Sequence, residues 1–156
     1  MKLKELHKRL ENKDFFRNLK NLDKDLFLIS VFCFLSKNEK ESDKITFNFY
    51  SPLKKKFFSS DYPFFEIKEL EEKEINEKPL SLDKLKIDIE DLWEKVESIS
   101  KEKKPLKAIC FLVADGWKIR IFYEDLKLKK VDISPQGDII KVEDNNLKDS
   151  FSLKRD

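Results

Sequence analysis

The sequence predicts an α+β fold built as a tandem repeat, in which each repeat is a helix followed by a four-stranded antiparallel sheet. Apolar residues recur at helical spacing at 15–22 and again at 92–99, and a long apolar run typical of a buried strand follows each stretch. Alternating apolar and polar residues come next in both halves. A shift of 77 residues places Cys33 on Cys110 and the first helix and strand on the second without a gap.

The first half is predicted to begin with two helical segments and to continue with four strands. Leu3, Leu6 and Leu10 recur at helical spacing, and Asn12 can cap a second segment over 15–22. A charged loop is expected at 36–44 and a turn at 61–63. The predicted strands are Leu26–Leu35, Ile45–Tyr50, Lys54–Ser59 and Phe64–Leu70.

The second half is predicted to begin with one helix. Asp88 is the expected N-cap, and the helix presents an apolar face from Leu92 to Ile99. Asp115-Gly116 predicts a tight hairpin, and residues 135–138 predict another turn. The predicted strands are Leu106–Ala114, Trp117–Tyr123, Lys127–Ile133 and Ile139–Glu143.

The repeat divides the chain into four predicted parts. They are a first repeat over residues 1–72, a linker over 73–86, a second repeat over 87–144 and a polar tail over 145–156. In the later strands the offset falls to 73, so that Tyr50 matches Tyr123. The alternating faces disagree there, and a slip of one residue exchanges the two faces of a strand. Chance similarity between two amphipathic segments is therefore the alternative to a duplication.

The composition argues against a protein that binds polyanions through its overall charge. Thirty-three basic residues against 31 acidic ones leave a net charge of +2, which predicts a surface of interleaved ion pairs. The apolar share of 40% includes 14 Phe, enough for a core without disulfides. Cys33 and Cys110 both lie inside apolar runs, which predicts buried, reduced thiols.

The sequence predicts a cytoplasmic protein that does not contact a membrane. Residues 1–10 alternate charged residues with Leu and lack the apolar stretch of a signal peptide. The longest apolar run, Leu26–Leu35, is too short to cross a bilayer as a helix.

Three features of the second half form one pattern. They are the helix at 89–99, the Gly116-Trp117 hairpin that enters an alternating strand, and an ending in which Asp132 precedes a turn at Gly137. A Gly at that turn permits a positive φ. Over residues 88–143 this pattern resembles the PepSY-type domain, and the tandem arrangement is similar in outline to beta-lactamase inhibitory protein. The resemblance implies a non-catalytic module, in a family associated with protease propeptides and inhibition.

Few residues could support catalysis or metal binding. His7 is the single histidine and lies among charged residues, which is typical of a solvated surface histidine. Cys33 and Cys110 lie mid-strand, where burial is expected rather than nucleophilic reactivity. The sequence has no CxxC, P-loop, GxGxxG or HExxH pattern. We therefore expect no enzymatic activity, no metal site and no cofactor.

One short stretch combines positive charge with aromatic rings and is the predicted partner-binding site. Its residues are Lys54, Lys55, Lys56, Phe57, Phe58 and Tyr62. Cations for phosphates and rings for stacking are typical of single-stranded nucleic acid binding, which is the alternative function predicted here. The same rings also fall where strand and core residues are needed.

The leading functional hypothesis is a non-enzymatic protein-binding or scaffolding module that uses an open sheet face. The run Leu26–Leu35 is apolar on both of its faces, and an antiparallel strand of this kind needs cover on both sides. A protein partner or a second copy of the chain would supply that cover.

Overall fold

The computed structural model of the protein describes residues 2–37, 44–71, 78–101 and 103–146. In these ranges the chain forms three α-helices, α1 (Leu3–Glu11), α2 (Asp14–Leu22) and α3 (Leu92–Ser100), and a 3-10 turn at Ile89–Asp91 leads into α3. The strands are β1 (Phe27–Ser36), β2 (Ile45–Ser51), β3 (Lys56–Asp61), β4 (Lys68–Leu70), β5 (Pro105–Val113), β6 (Gly116–Tyr123), β7 (Lys127–Ile133) and β8 (Ile139–Asn146).

All eight strands belong to one antiparallel sheet, in the order β4-β3-β2-β1-β5-β6-β7-β8. β1 and β5 pair at six positions, from Val31 opposite Leu112 to Ser36 opposite Lys107. The predicted fold class is therefore wrong, because the described residues form one eight-stranded sheet with three short helices and not a tandem repeat of a helix and a four-stranded sheet. The side-chain pattern could not show this pairing, since strand edges are made of backbone groups that nearly every residue carries.

One face of the sheet is covered by the helices. Leu3, Leu6 and Leu10 of α1 and Leu92 and Val96 of α3 are at most 2% exposed. They belong to one apolar core with alternate residues of the sheet, namely Val31, Cys33, Leu35, Phe47, Phe49, Ala108, Cys110, Leu112, Ile119 and Ile121. Helices of nine residues are marginal alone in water, so burial of their apolar stripe against the sheet stabilises them.

One carboxylate, that of Asp88, holds the beginnings of two helices. Its Oδ1 accepts the backbone N–H of Leu3 at 2.9 Å and that of Ile89 at 2.7 Å. The side chain of Asp91 accepts the N–H of Asp88 at 3.2 Å, which completes a capping box. The predicted N-cap is confirmed, and it also ties α1 to the segment that begins α3.

Both predicted glycine turns are confirmed. Gly116 has a φ of +122°, and a Cβ added there would lie 2.0 Å from the carbonyl oxygen of Ile133, so a side chain cannot be accommodated. Gly137 has a φ of +96°, and its N–H donates to the carbonyl of Ser134 at 2.9 Å. Positive φ favours glycine at both positions.

Two local predictions are wrong. Asn12 does not cap the second helix: its N–H donates to the carbonyl of Lys8 at 3.1 Å, so it ends α1, and Lys13 precedes α2. The predicted strand Phe64–Leu70 is reduced to Lys68–Leu70. Phe64 is instead buried in the core, with 1% of its surface exposed.

The predicted linker and tail lie only partly within the described residues. Residues 78–86 form no helix or strand. This stretch is nevertheless tied to the sheet, because Leu80 donates its N–H to the carbonyl of Leu28 at 2.8 Å and Lys86 donates to Pro135 at 3.0 Å. Residues 72–77 and 147–156 lie outside the described residues, and 145–146 belong to β8. The division of the chain at 73–86 stays a prediction.

Replacing Asp88 by Ala should lower the free energy of unfolding by about 1–2 kcal/mol, because two helix beginnings lose their acceptor together. Asp88→Asn keeps an acceptor oxygen, so it is the matched control and should cost less. Urea unfolding followed by circular dichroism measures both variants. If D88A is as stable as the wild type, the shared cap does not hold the helices.

Candidate interaction surface

The second face of the sheet, opposite the helices, carries a cluster of large apolar side chains. Because successive strand residues point to opposite faces, the neighbours of the core residues on β1, β5 and β6 lie on this open face. We call the cluster the aromatic patch; it consists of Phe32, Phe34, Ile109, Phe111 and Phe122. Phe111 is 39% exposed and the other members are half-buried.

The centre of the aromatic patch lies on the β1–β5 pair. Phe32 is directly opposite Phe111, and their ring centroids are 4.9 Å apart at an interplanar angle of 57°. Phe34 is opposite Ile109. Cross-strand aromatic pairs stabilise a sheet, so these residues both hold the central strands together and leave apolar surface in contact with water.

Four cations lie on this face at the border of the aromatic patch. Lys118 is opposite Phe111 and pairs with Asp132; the other three, Lys107, Arg120 and Lys130, are what we call the basic rim. The ammonium of Lys107 lies 5.9 Å from the ring centroid of Phe34 and 5.2 Å from that of Phe122, as in cation–π contacts. Arg120 is opposite Ile109 on one side and opposite Lys130 on the other. Within the described ranges, no carboxylate lies within ion-pair distance of these three cations.

The acidic side chains on this face of β7 and β8 are already engaged. Asp132 pairs with Lys118 at 3.3 Å, and Glu143 pairs with Lys141 at 3.6 Å. The basic rim therefore keeps a local positive charge although the whole chain has a net charge of only +2.

Some of the predicted partner-binding residues are exposed to solvent, and others are buried. Lys54 and Lys55 lie in the exposed turn before β3, and Lys56 begins β3 and forms an ion pair with Glu69. Together with Leu70 and Glu71 these residues line an open depression of about 430 Å³.

The rings predicted to lie beside these lysines are largely covered. Phe57 is 4% exposed and Phe58 is 8% exposed. Phe58 belongs to the core under the helices, whereas Phe57 lies on the open face with its ring centroid 4.9 Å from that of Tyr50. Tyr62 is half-buried against Phe64, at a centroid distance of 5.5 Å. The three lysines are thus exposed to solvent and the two phenylalanine rings are not, although Nζ of Lys54 lies 6.0 Å from the ring centroid of Phe58.

A buried carboxylate positions the lysine turn. Asp23 accepts the hydroxyl hydrogen of Ser51, the N–H of Leu53 at 3.1 Å and the N–H of Asp25 at 2.9 Å. The hydrogen bond from Ser51 is the main reason why the pKa of Asp23 lies below its ordinary value. The role of Asp23 could not be predicted from the sequence, since an Asp after a helix gives no sign that it accepts a hydrogen bond from Ser51, 28 residues away.

His7 is half-buried, so the expectation of a solvated surface histidine is wrong. Its ring centroid lies 6.0 Å from those of both Phe47 and Phe49, in stacked orientations. Burial lowers the pKa of His7 below 6.5, against the opposing effect of Glu11, whose carboxylate lies 3.5 Å from Nδ1.

The two cysteines face each other across the central strand pair. Cys33 is opposite Cys110, and both are free thiols with no exposed surface, which confirms their predicted burial. The hydrogen bond with Cys33 and the burial hold the pKa of Cys110 well above its ordinary value, so this side chain stays a thiol at neutral pH.

The described part of the chain contains no group of three or more His, Cys, Asp or Glu side chains that could hold a metal ion. Among the same residues, no helix has the length and apolar character needed to cross a membrane.

Comparison with known proteins gives little guidance. No family model matches the chain, so the PepSY-type resemblance stays a prediction. No curated protein matches either. A solved structure of a candidate lipoprotein from Clostridium difficile 630 is similar to this chain with a TM-score of 0.47 and 14% identity, covering 87% of this chain and 98% of that protein. A similarity at this TM-score does not establish a shared fold or function.

The stability of the protein should fall as the pH is lowered from above 6.5 towards the lowered pKa of His7. In that interval the unfolded chain binds a proton at His7 more readily than the folded protein does, so acid favours unfolding. Urea unfolding at several pH values measures the slope, and His7→Gln should flatten it in this interval. Equal slopes for wild type and H7Q would contradict the assignment, whatever the absolute stability of the variant.

Proposed function

We propose that this protein is a non-enzymatic binding module that takes a protein partner on the open face of its sheet. The observation that supports this most is the aromatic patch itself, a contiguous set of four Phe rings and one Ile on the side of the sheet away from the helices. Apolar clusters of this kind, bordered by polar residues, are typical of protein interfaces.

The geometry of the rings favours a protein over a nucleic acid as the partner. Stacking of a base needs a free ring face. The ammonium of Lys107 lies over the rings of both Phe34 and Phe122, and the rings of Phe32 and Phe111 are tilted against each other. Apolar side chains of a protein can pack against such edges and tilted rings without displacing the cation.

The charge of the basic rim favours an acidic partner surface. Lys107, Arg120 and Lys130 lie beside apolar surface, and none of them forms an ion pair with a described carboxylate, although Lys130 is opposite Glu143, which pairs with Lys141. A partner that places Asp or Glu against them and apolar side chains on the aromatic patch would satisfy both features. We therefore take the partner to be a protein segment that combines acidic with large apolar residues.

Nucleic acid binding at residues 54–65 stays a prediction. The exposed Lys54, Lys55 and Lys56 support it, whereas Phe57 and Phe58 beside them are buried; the exposed ring of this segment is Phe65, at its far end. A protein partner would contact the aromatic patch, whereas a nucleic acid would contact residues 54–65. Variants at these two places therefore distinguish the two functions.

Selection of a random displayed-peptide library on the wild-type protein should enrich sequences that combine Asp or Glu with large apolar residues. Phe111→Ala should weaken binding of an enriched peptide by about 10-fold or more, because it removes the most exposed ring of the aromatic patch. Arg120→Glu should also weaken binding, and the loss of affinity should be larger at low salt than at high salt. Fluorescence anisotropy of the labelled peptide measures both effects.

Phe65→Ala is the matched control, since Phe65 is 84% exposed in the turn after β3 and lies outside the aromatic patch. It should bind the peptide as the wild type does. Failure to enrich any peptide, or binding that F111A and R120E leave unchanged, would contradict the proposal. Salt-sensitive binding of labelled oligouridine that depends on Lys54–Lys56 would instead favour the nucleic acid alternative.

A further inference from the structure

The edge strand β8 carries a second exposed apolar surface, separate from the aromatic patch. Ile139, Ile140 and Val142 are 48%, 64% and 46% exposed. Val142 is opposite the fully buried Val131, so it points to the same side of the sheet as the helices, yet their layer does not cover it. Among the strands of the described ranges, none pairs with the outer edge of β8, and an edge of this kind is a template for pairing with another chain.

The charges on β8 alternate around Val142. Lys141 and Glu143 flank it on the opposite face of the sheet, where they pair with each other at 3.6 Å and keep 63% and 50% of their side-chain surface exposed. The strand therefore offers, over three consecutive residues, a cation, an apolar side chain and an anion.

We infer that β8 pairs antiparallel with β8 of a second copy of this chain, about a two-fold axis at Val142. A two-fold axis perpendicular to the sheet leaves every side chain on the side of the sheet where it started. In an antiparallel pair, two residues that lie opposite each other have their side chains on the same side of the sheet. The axis must therefore pass through a residue and not between two residues. An axis at Val142 places Lys141 of each copy opposite Glu143 of the other and brings the two exposed Val142 side chains together.

The neighbouring registers are unfavourable. An axis at Lys141 places two ammonium groups directly opposite each other, and an axis at Glu143 does the same with two carboxylates. Among the axes at Lys141, Val142 and Glu143, the charge pattern of β8 therefore favours the one at Val142. The opposite edge of the sheet, β4, has only three residues and offers a much shorter template.

Sedimentation velocity of the wild-type protein from about 10 μM to about 1 mM should show a reversible monomer–dimer equilibrium. Lys141→Glu and Glu143→Lys should each raise the dimer dissociation constant about 10-fold, because each makes two like-charge pairs across the axis. Mixing the two variants in equal amounts should restore the dimer. In the mixed pair, the two carboxylates on β8 of the K141E chain face the two ammonium groups on β8 of the E143K chain.

Charge-matched controls are Lys104→Glu and Glu97→Lys, both at exposed positions outside β8, and they should dimerise as the wild type does. Hydrogen exchange of the wild-type protein gives a readout that needs no variant, because amides of β8 should become more protected as the concentration rises. A wild type that stays monomeric throughout the range overturns the inference. A dimer that the two β8 variants do not weaken, or that their mixture does not restore, overturns it as well.

Discussion

Between Val31 and Ser36, β1 lies antiparallel beside β5 over six successive residue pairs, and this pairing joins the strands before residue 71 to those after residue 104. The pairing has two consequences. On one face it brings Cys33 and Cys110 together at the centre of the core, under the helices. On the other face it brings Phe32 and Phe34 beside Phe111 and Ile109, so the aromatic patch exists only because these two strands are neighbours.

The helices depend on the same arrangement. Each has nine residues, too few for stability in isolation, and each buries its apolar stripe on the face that the β1–β5 pair makes continuous. Asp88 adds a link within the helical layer by accepting N–H groups at the beginnings of α1 and of the 3-10 turn. The three helices of the described ranges all pack on one face, and the aromatic patch and the basic rim lie on the other. The proposed binding function follows from this asymmetry.

Local features could be predicted from the sequence, whereas the association of distant segments could not. The cap at Asp88, the turns at Gly116 and Gly137 and the burial of both cysteines follow from short-range patterns and are confirmed. The single sheet was missed because strand edges pair through backbone groups. The basic rim was missed for a related reason: Lys107, Arg120 and Lys130 stand on three different strands and form a surface only once those strands are side by side.

Native-state hydrogen exchange tests most directly whether the chain is one sheet organised by the β1–β5 pair. The slowest amides should lie in β1 and β5, and the protected amides of β2 and β6 should exchange through the same opening with the same free energy. Strands on the two sides of the pair would then lose protection together as denaturant is added. Two separate openings, one for β1 to β4 and another of different free energy for β5 to β8, would contradict it.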